Sequence, residues 1–186
     1  MADEPVQDPQ MANPQAQGDR QLLLQKIYIK DLSFESPKAP EIFTSNVQAQ
    51  TQLNVGSSNK QIDPDHVEVS LTLTVTSKAG EDTVFLIEIV QAGIFTIKGY
   101  NQDERAMLLG SFCPGTLYPF AREAVAEAAQ KGGFPQLLLQ PINFDAVYAQ
   151  AMQERQAQAA AAQGQQPAAV ESPPAQPANP GGGDTH

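Results

Sequence analysis

An α+β domain built on a four-stranded antiparallel sheet is the fold class this sequence predicts, and three observations predict it. Residues 21–99 divide into four runs rich in apolar and β-branched residues. One of them, HVEVSLTLTVTSK (66–78), alternates apolar and polar residues almost without a break, the period of a strand with two unlike faces. Residues 101–156 then change to helical patterning, punctuated at Gly132 and Gly133. Strands first and helices after give the α+β order, and mostly short connections give antiparallel pairing.

The first run, QLLLQKIYIKDLSFE (21–35), is followed by Pro37 and Pro40, and the PKAPE segment is expected to carry a longer crossover. A second strand is expected in IFTSNVQAQTQLNV (42–55), followed by a polar loop, GSSNKQIDPD (56–65). In the third run Val67, Val69, Leu71, Leu73 and Val75 share one face, and Glu68, Ser70, Thr72, Thr74 and Thr76 the other. KAGED is a turn, and TVFLIEIVQAGIFTIKG (83–99) is the fourth strand, where Gly93 marks a bulge or a close approach. NQDERAMLLGSFC (101–113) reads as a helix with acids in its first turn, where the helix dipole favours them. Pro114 and Gly115 are expected to break it. TLYPFAREAVAEAAQKGG (116–133) is the next helix, stopped by its two glycines. FPQLLLQPIN (134–143) reads as extended, and Asn143 or Asp145 as the cap of a last helix, FDAVYAQAMQERQAQ (144–158), which the AQAAAAQ run extends toward Gly164.

Residues 1–20 and 157–186 lack the apolar side chains that offset ordering entropy. Both are expected to be disordered tails around one domain, 21–156. The net charge is −10 over 186 residues, and 21–156 hold 15 acids against 10 bases. This balance argues against nucleic acid, whose phosphates want clustered Lys and Arg. It fits solubility or a basic partner. Cys113 is the single cysteine, so no intramolecular disulfide forms and a reducing compartment is expected. The first 20 residues have no basic region and no apolar core of a signal peptide. No stretch approaches the roughly 18 apolar residues of a membrane helix. A cytoplasmic protein with no direct membrane insertion is expected.

The search for chemistry returns little. His66 and His186 are the two histidines, and with one cysteine they build no zinc site within one chain. Cys113, a lone thiol before Pro114, reads as small core packing. GSFCPG has no Lys after it and follows a helix, so it is not a phosphate loop. Asp31, Glu35 and Glu88 have no Arg or His in their segments and read as a solvated face rather than as a general acid and base. No enzyme, metal or cofactor is expected.

What remains is excess apolar surface. In the fourth strand Phe85, Ile87, Ile89 and Gln91 alternate with Leu86, Glu88 and Val90, and both rows are mainly apolar. One row can pack on the chain's own helices or on another copy. The other is then an interaction surface with a charge in it, or the strand is buried on both sides and Glu88 is paired to a base. The pattern leaves both open. Phe34 and Phe43 flank the proline-stiffened loop, where they line a groove for extended peptide or anchor the loop on the core.

Three blocks carry a family resemblance: IYIKDLSFESPKAP (27–40), FLIEIVQAGIF (85–95) and GSFCPGTLYPFAREAVAEAAQKGGFPQLLLQPINFDAVY (110–148). They closely resemble SecB, the bacterial cytosolic chaperone of protein export, over roughly 21–152. The resemblance implies helices on one side of the sheet, a homotetramer assembled as a dimer of dimers, and grooves that hold unfolded preproteins without ATP. It implies delivery to the motor SecA, whose basic, zinc-bound tail meets acids at Asp31, Glu35 and Glu88 beside Leu86. Zinc then belongs to the partner. By position, Phe34, Phe43, Phe144 and Tyr148 are implied as groove residues, and Phe85, Ile87, Ile89 and Gln91 as oligomer contacts. Rival readings are a SecB-like chaperone dedicated to a toxin–antitoxin pair, a small acid/base enzyme and a plain structural oligomer.

Overall fold

The structure, a computed structural model, describes residues 20–45 and 48–163. The chain divides into two compact units, Met1–Gln150 and Ala151–His186. The first unit holds the sheet β1 (Gln21–Glu35), β2 (Gln50–Gln61), β3 (His66–Ala79) and β4 (Asp82–Lys98), then α1 (Gln102–Met107) and α2 (Cys113–Lys131). A last helix, α3 (Phe144–Gln163), begins in the first unit, and its continuation from Ala151 is the described part of the second. It runs through the AQAAAAQ stretch as its composition allows, so 157–163 are helical. The rest of the C-terminal tail and residues 1–19 lie outside the described residues.

The sheet order is β1-β4-β3-β2, antiparallel throughout. β1 and β2 are therefore opposite edges, and the segment 36–49 is the crossover that the prolines suggested. It contains a short 3-10 turn, Glu41–Phe43. In the centre, Val67, Val69, Leu71, Leu73 and Val75 of β3 stand opposite Phe95, Gly93, Gln91, Ile89 and Ile87 of β4. Directly opposed residues share a face, so these two rows form one surface. It is buried with Leu117, Ala121, Val125 and Ala128 of α2, whose spacing of three and four puts them on one stripe of the helix. Burying each large aliphatic side chain contributes roughly 1.5–3 kcal/mol. Gly93 is a close-approach site: a Cβ there would lie 2.8 Å from Leu117 Cδ2 and 3.2 Å from the Lys26 carbonyl.

Two local expectations change, and a third gains a specific motif. The second strand is 50–61 rather than 42–55: Ile42 and Phe43 belong to the 3-10 turn, and the polar GSSNKQ stretch pairs in register, Gly56 with Thr72 through Gln61 with Val67. An edge strand needs a backbone partner more than an apolar pattern, and nearly every residue of β2 is exposed. The connection shrinks to a tight turn in which Asp63 Oδ1 accepts from the Asp65 and His66 N–H groups.

The second change is at Pro114. The helix is not broken there; a π-helical turn, Leu108–Phe112, joins α1 to α2, and the Cys113 N–H donates to the Leu108 carbonyl. Pro114 has no N–H to give, and the ladder widens just before it. The third is the end of α2, which the glycines stop as expected, but through a specific motif. The Phe134 N–H donates to the Ala129 carbonyl and the Gly133 N–H to the Gln130 carbonyl, a Schellman closure with Gly133 at φ 85°. Asn143 is the cap of α3, its Oδ1 accepting from the Ala146 N–H at 3.1 Å. α1 carries a capping box between Asn101 and Glu104.

Candidate functional site

Strand register assembles the acids. Glu35 stands opposite Leu86, Ser33 opposite Glu88 and Asp31 opposite Val90, so all six side chains lie on the face of the sheet that α2 leaves uncovered. Asp31 and Glu35 are exposed, and Leu86 and Glu88 half-buried. Among the described residues no ion pair involves Asp31, Glu35 or Glu88. The sequence-predicted cluster Asp31, Glu35, Leu86 and Glu88 is thus brought together on one surface. Glu88 has no buried counter-ion in the described chain, which removes the reading of a doubly buried strand.

Beside this cluster lies a group that sequence reasoning missed. β1 shifts register between Ile29 and Asp31, which inserts one residue and changes the parity of the strand. Tyr28 and Lys30 both reach Glu68 of β3: the Tyr28 hydroxyl donates to Glu68 Oε1, and Lys30 Nζ lies 2.8 Å from Oε2. The Lys30 bond, with the Tyr28 bond behind it, holds the Glu68 carboxyl below its ordinary value, and the Glu68 contact pushes the Tyr28 phenol up. No local pattern signals this bulge.

The row Phe85, Ile87, Ile89 and Gln91 is buried, with only Phe85 bordering a groove. Ile87 and Ile89 are 0% exposed, and Phe85 and Gln91 are buried with them beneath α2; Gln91 Nε2 donates to the Tyr28 carbonyl at 2.8 Å. Period-2 reasoning separates the two rows correctly but does not say which one the chain's own helix covers. Within the single chain these side chains pack in the core, so the oligomer contact implied for them is not through an exposed row.

The four aromatic groove candidates divide into two places. Phe34 and Phe43 come together through two further rings. Phe134 lies 6.2 Å from Phe34, 5.1 Å from Phe43 and 4.9 Å from Phe85, and Phe34 and Phe85 stack at 6.3 Å. An open groove of about 450 Å³ adjoins the cluster, lined among others by Ile42, Phe43, Val84, Phe85, Phe134 and Leu137. Phe43 is 51% exposed at its mouth. Phe144 and Tyr148 lie elsewhere: Phe144 is buried edge-on to Tyr118 at 5.7 Å, and the Tyr148 ring packs over Gly110 in the π turn. Phe144 is largely buried and borders a separate cavity of about 360 Å³ with Phe112, Thr116 and Ile142, away from the groove at Phe43. Phe134 was missed as a groove residue; the signal was its place just after the glycine stop, where a Schellman closure folds the next apolar side chain back.

Among the described residues no three His, Cys, Asp or Glu converge on a metal position, and burial pushes the Cys113 thiol up to about 12. No described helix is long and apolar enough to cross a membrane. The arrangement presents two unlike surfaces on opposite faces of β4, an apolar aromatic groove and an acidic patch.

Comparison with known proteins agrees with the blocks noted above. The family model described as preprotein translocase subunit SecB matches residues 15–155. The protein-export protein SecB of Methylococcus capsulatus is 49% identical over 149 residues, covering 80% of this chain and 96% of the relative. That of Nitrosococcus oceani is 52% identical over 143 residues, covering 76% and 87%. Among solved structures, a SecB-like chaperone of Mycobacterium tuberculosis, in complex with a peptide from an antitoxin, overlays with a TM-score of 0.56 at 16% identity, covering 65% of this chain and 90% of that one. That likeness concerns the fold.

Proposed function

The chain belongs to the SecB family, chaperones of protein export, and we propose that it holds unfolded preproteins along its aromatic groove and hands them to SecA through its acidic patch. The observation that carries this reading is the separation of the two surfaces. Apolar rings wait at a groove mouth on one side of the sheet, and Asp31, Glu35 and Glu88 gather on the other with no ion pair among the described residues. Apolar grooves bind extended chains with little regard to sequence, and an acidic patch meets a basic segment by charge complementarity. Holding an unfolded chain shifts its equilibrium by mass action, so neither nucleotide nor catalysis enters, and the protein works in the cytoplasm.

Assembly into a homotetramer, a dimer of dimers, is part of this reading. It is supported by apolar side chains that one chain leaves open. Ile29 and Leu32 of edge strand β1 stand opposite Gln91 and Ile89, on the covered side, yet are 49% and 45% exposed. Phe112 and Phe120 of the helical segment are also exposed.

The decisive experiment measures two affinities on one preparation: for a non-native preprotein by fluorescence anisotropy, and for SecA by calorimetry. Phe43→Ala is expected to weaken the first alone, and Glu88→Lys the second alone by about tenfold. A chain dedicated to an antitoxin would bind no SecA, and that result would overturn the export reading.

A further inference from the structure

We infer that Gly132 is a positioning residue for client binding: its missing side chain is the seat of the Phe34 ring, and that seat sets the aromatic wall behind the groove. The inference rests on the groove reading above and assigns it a residue that touches no client.

Gly132 and Gly133 stand side by side at the end of α2, for different reasons. Gly133 has φ 85°, a conformation that only a residue without a Cβ adopts freely, and the Schellman closure requires it. Gly132 has φ −73° and ψ 0°, which any L-residue tolerates. Its backbone gives no reason for glycine. Its surroundings do: a Cβ there would overlap Phe34 Cζ and lie 2.5 Å from Cε2 and 2.7 Å from Cε1. The ring of Phe34 occupies the volume that an alanine methyl would fill.

Phe34 has little freedom to yield inward. It stacks on Phe85 and leans on Phe134, and Phe134 in turn touches Phe43. Phe85, Phe134 and Phe43 line the groove, whereas Phe34 and Gly132 do not. Ring pairs of this kind hold their geometry by offset and edge contacts, and displacing one member shifts its neighbours. A methyl at 132 would push the Phe34 ring either into Phe134 or outward along the β1 edge. Both moves alter the wall that an apolar side chain of an extended client meets, without placing a new atom in the groove.

The test uses the full chain and a reduced, alkylated, permanently unfolded polypeptide carrying a fluorophore. Affinity and melting temperature are measured for wild type, Gly132→Ala, Phe34→Leu, the double variant, and Phe43→Ala as a groove control. Gly132→Ala is expected to lose about three- to tenfold in affinity, the worth of a disturbed aromatic contact. The double variant is expected to recover most of that loss relative to Gly132→Ala, because the smaller side chain frees the space. Wild-type affinity in Gly132→Ala, with Phe43→Ala impaired, would overturn the inference and leave the groove reading standing. No effect in either variant would remove the groove reading itself. If Gly132→Ala fails to fold, the double variant decides: restored folding and binding support the seat, and restored folding without binding overturns it.

Discussion

On one face of the sheet Val67, Leu71, Leu73, Ile87 and Ile89 have no exposed surface, while on the other face of the same β4 strand Leu86, Glu88 and Val90 remain half-buried. The first face is closed by α2; nothing in the described chain closes the second. One strand thus gives alternate residues to two environments, the covered core on one side and, in the function proposed above, a recognition surface on the other. Substitutions one residue apart should therefore have unlike consequences, which makes the comparison testable.

The largest effect is expected from Ile87→Asp. An unpaired carboxylate beneath α2 has no base to meet and should cost about 4 kcal/mol or more, read as loss of the cooperative urea transition. A folded Ile87→Asp that merely changed its mass in light scattering would break the assignment of this row to the core. Leu71→Ala should follow at about 2–5 kcal/mol, the cost of a buried cavity, measured as a lower urea midpoint at unchanged slope. Thr74→Ala, on the open face, should stay within about 0.5 kcal/mol.

The Tyr28–Glu68–Lys30 group tests the open face at intermediate size. Its carboxylate is partly screened and Lys30 is half-exposed, so Lys30→Ala should cost about 1 kcal/mol or less. The sign with pH is definite. Glu68 is held below its ordinary value of 4.5, chiefly by Lys30, so its contribution is present above pH 4.5 and is lost as pH falls through the lower folded value. Urea titrations from pH 6 downward should show a shallower loss in Lys30→Ala than in wild type; parallel curves would argue against the group. Glu88→Lys should be the smallest in stability, within about 0.5 kcal/mol, while abolishing the acidic patch. Cys113, buried with its thiol pushed up to about 12, should ignore a thiol reagent until the chain unfolds; reaction in the native state would show that the covered face opens.

Some of this was legible in the chain and some was not. The alternation of 66–78 announces β3 because a half-buried strand must repeat with period two. The same arithmetic puts Asp31 with Glu35, and Leu86 with Glu88, on one face each. Their meeting across the β1–β4 ladder depends on register, and the Tyr28–Glu68 contact on a bulge at Lys30, neither of which one strand encodes. The edges of β2 were misread because an exposed edge strand carries no apolar period. That Phe144 and Tyr148 lie apart from Phe34 and Phe43 was not legible, because an aromatic residue at a helix start serves a groove or a core equally well until its neighbours are known.

The sequence by itself determined the order of elements, the two rows of β4, the acids on their shared parity and, through three long blocks, the family. Only the tertiary structure decided which row α2 covers, how the crossover carries β2 to the far edge, and why Gly132 has no side chain. The physical reason is range: periodicity and capping are set by residues within a few positions of one another. Burial, register and ring packing are set by residues as far apart as Phe34 and Phe134, which meet only after the chain has folded.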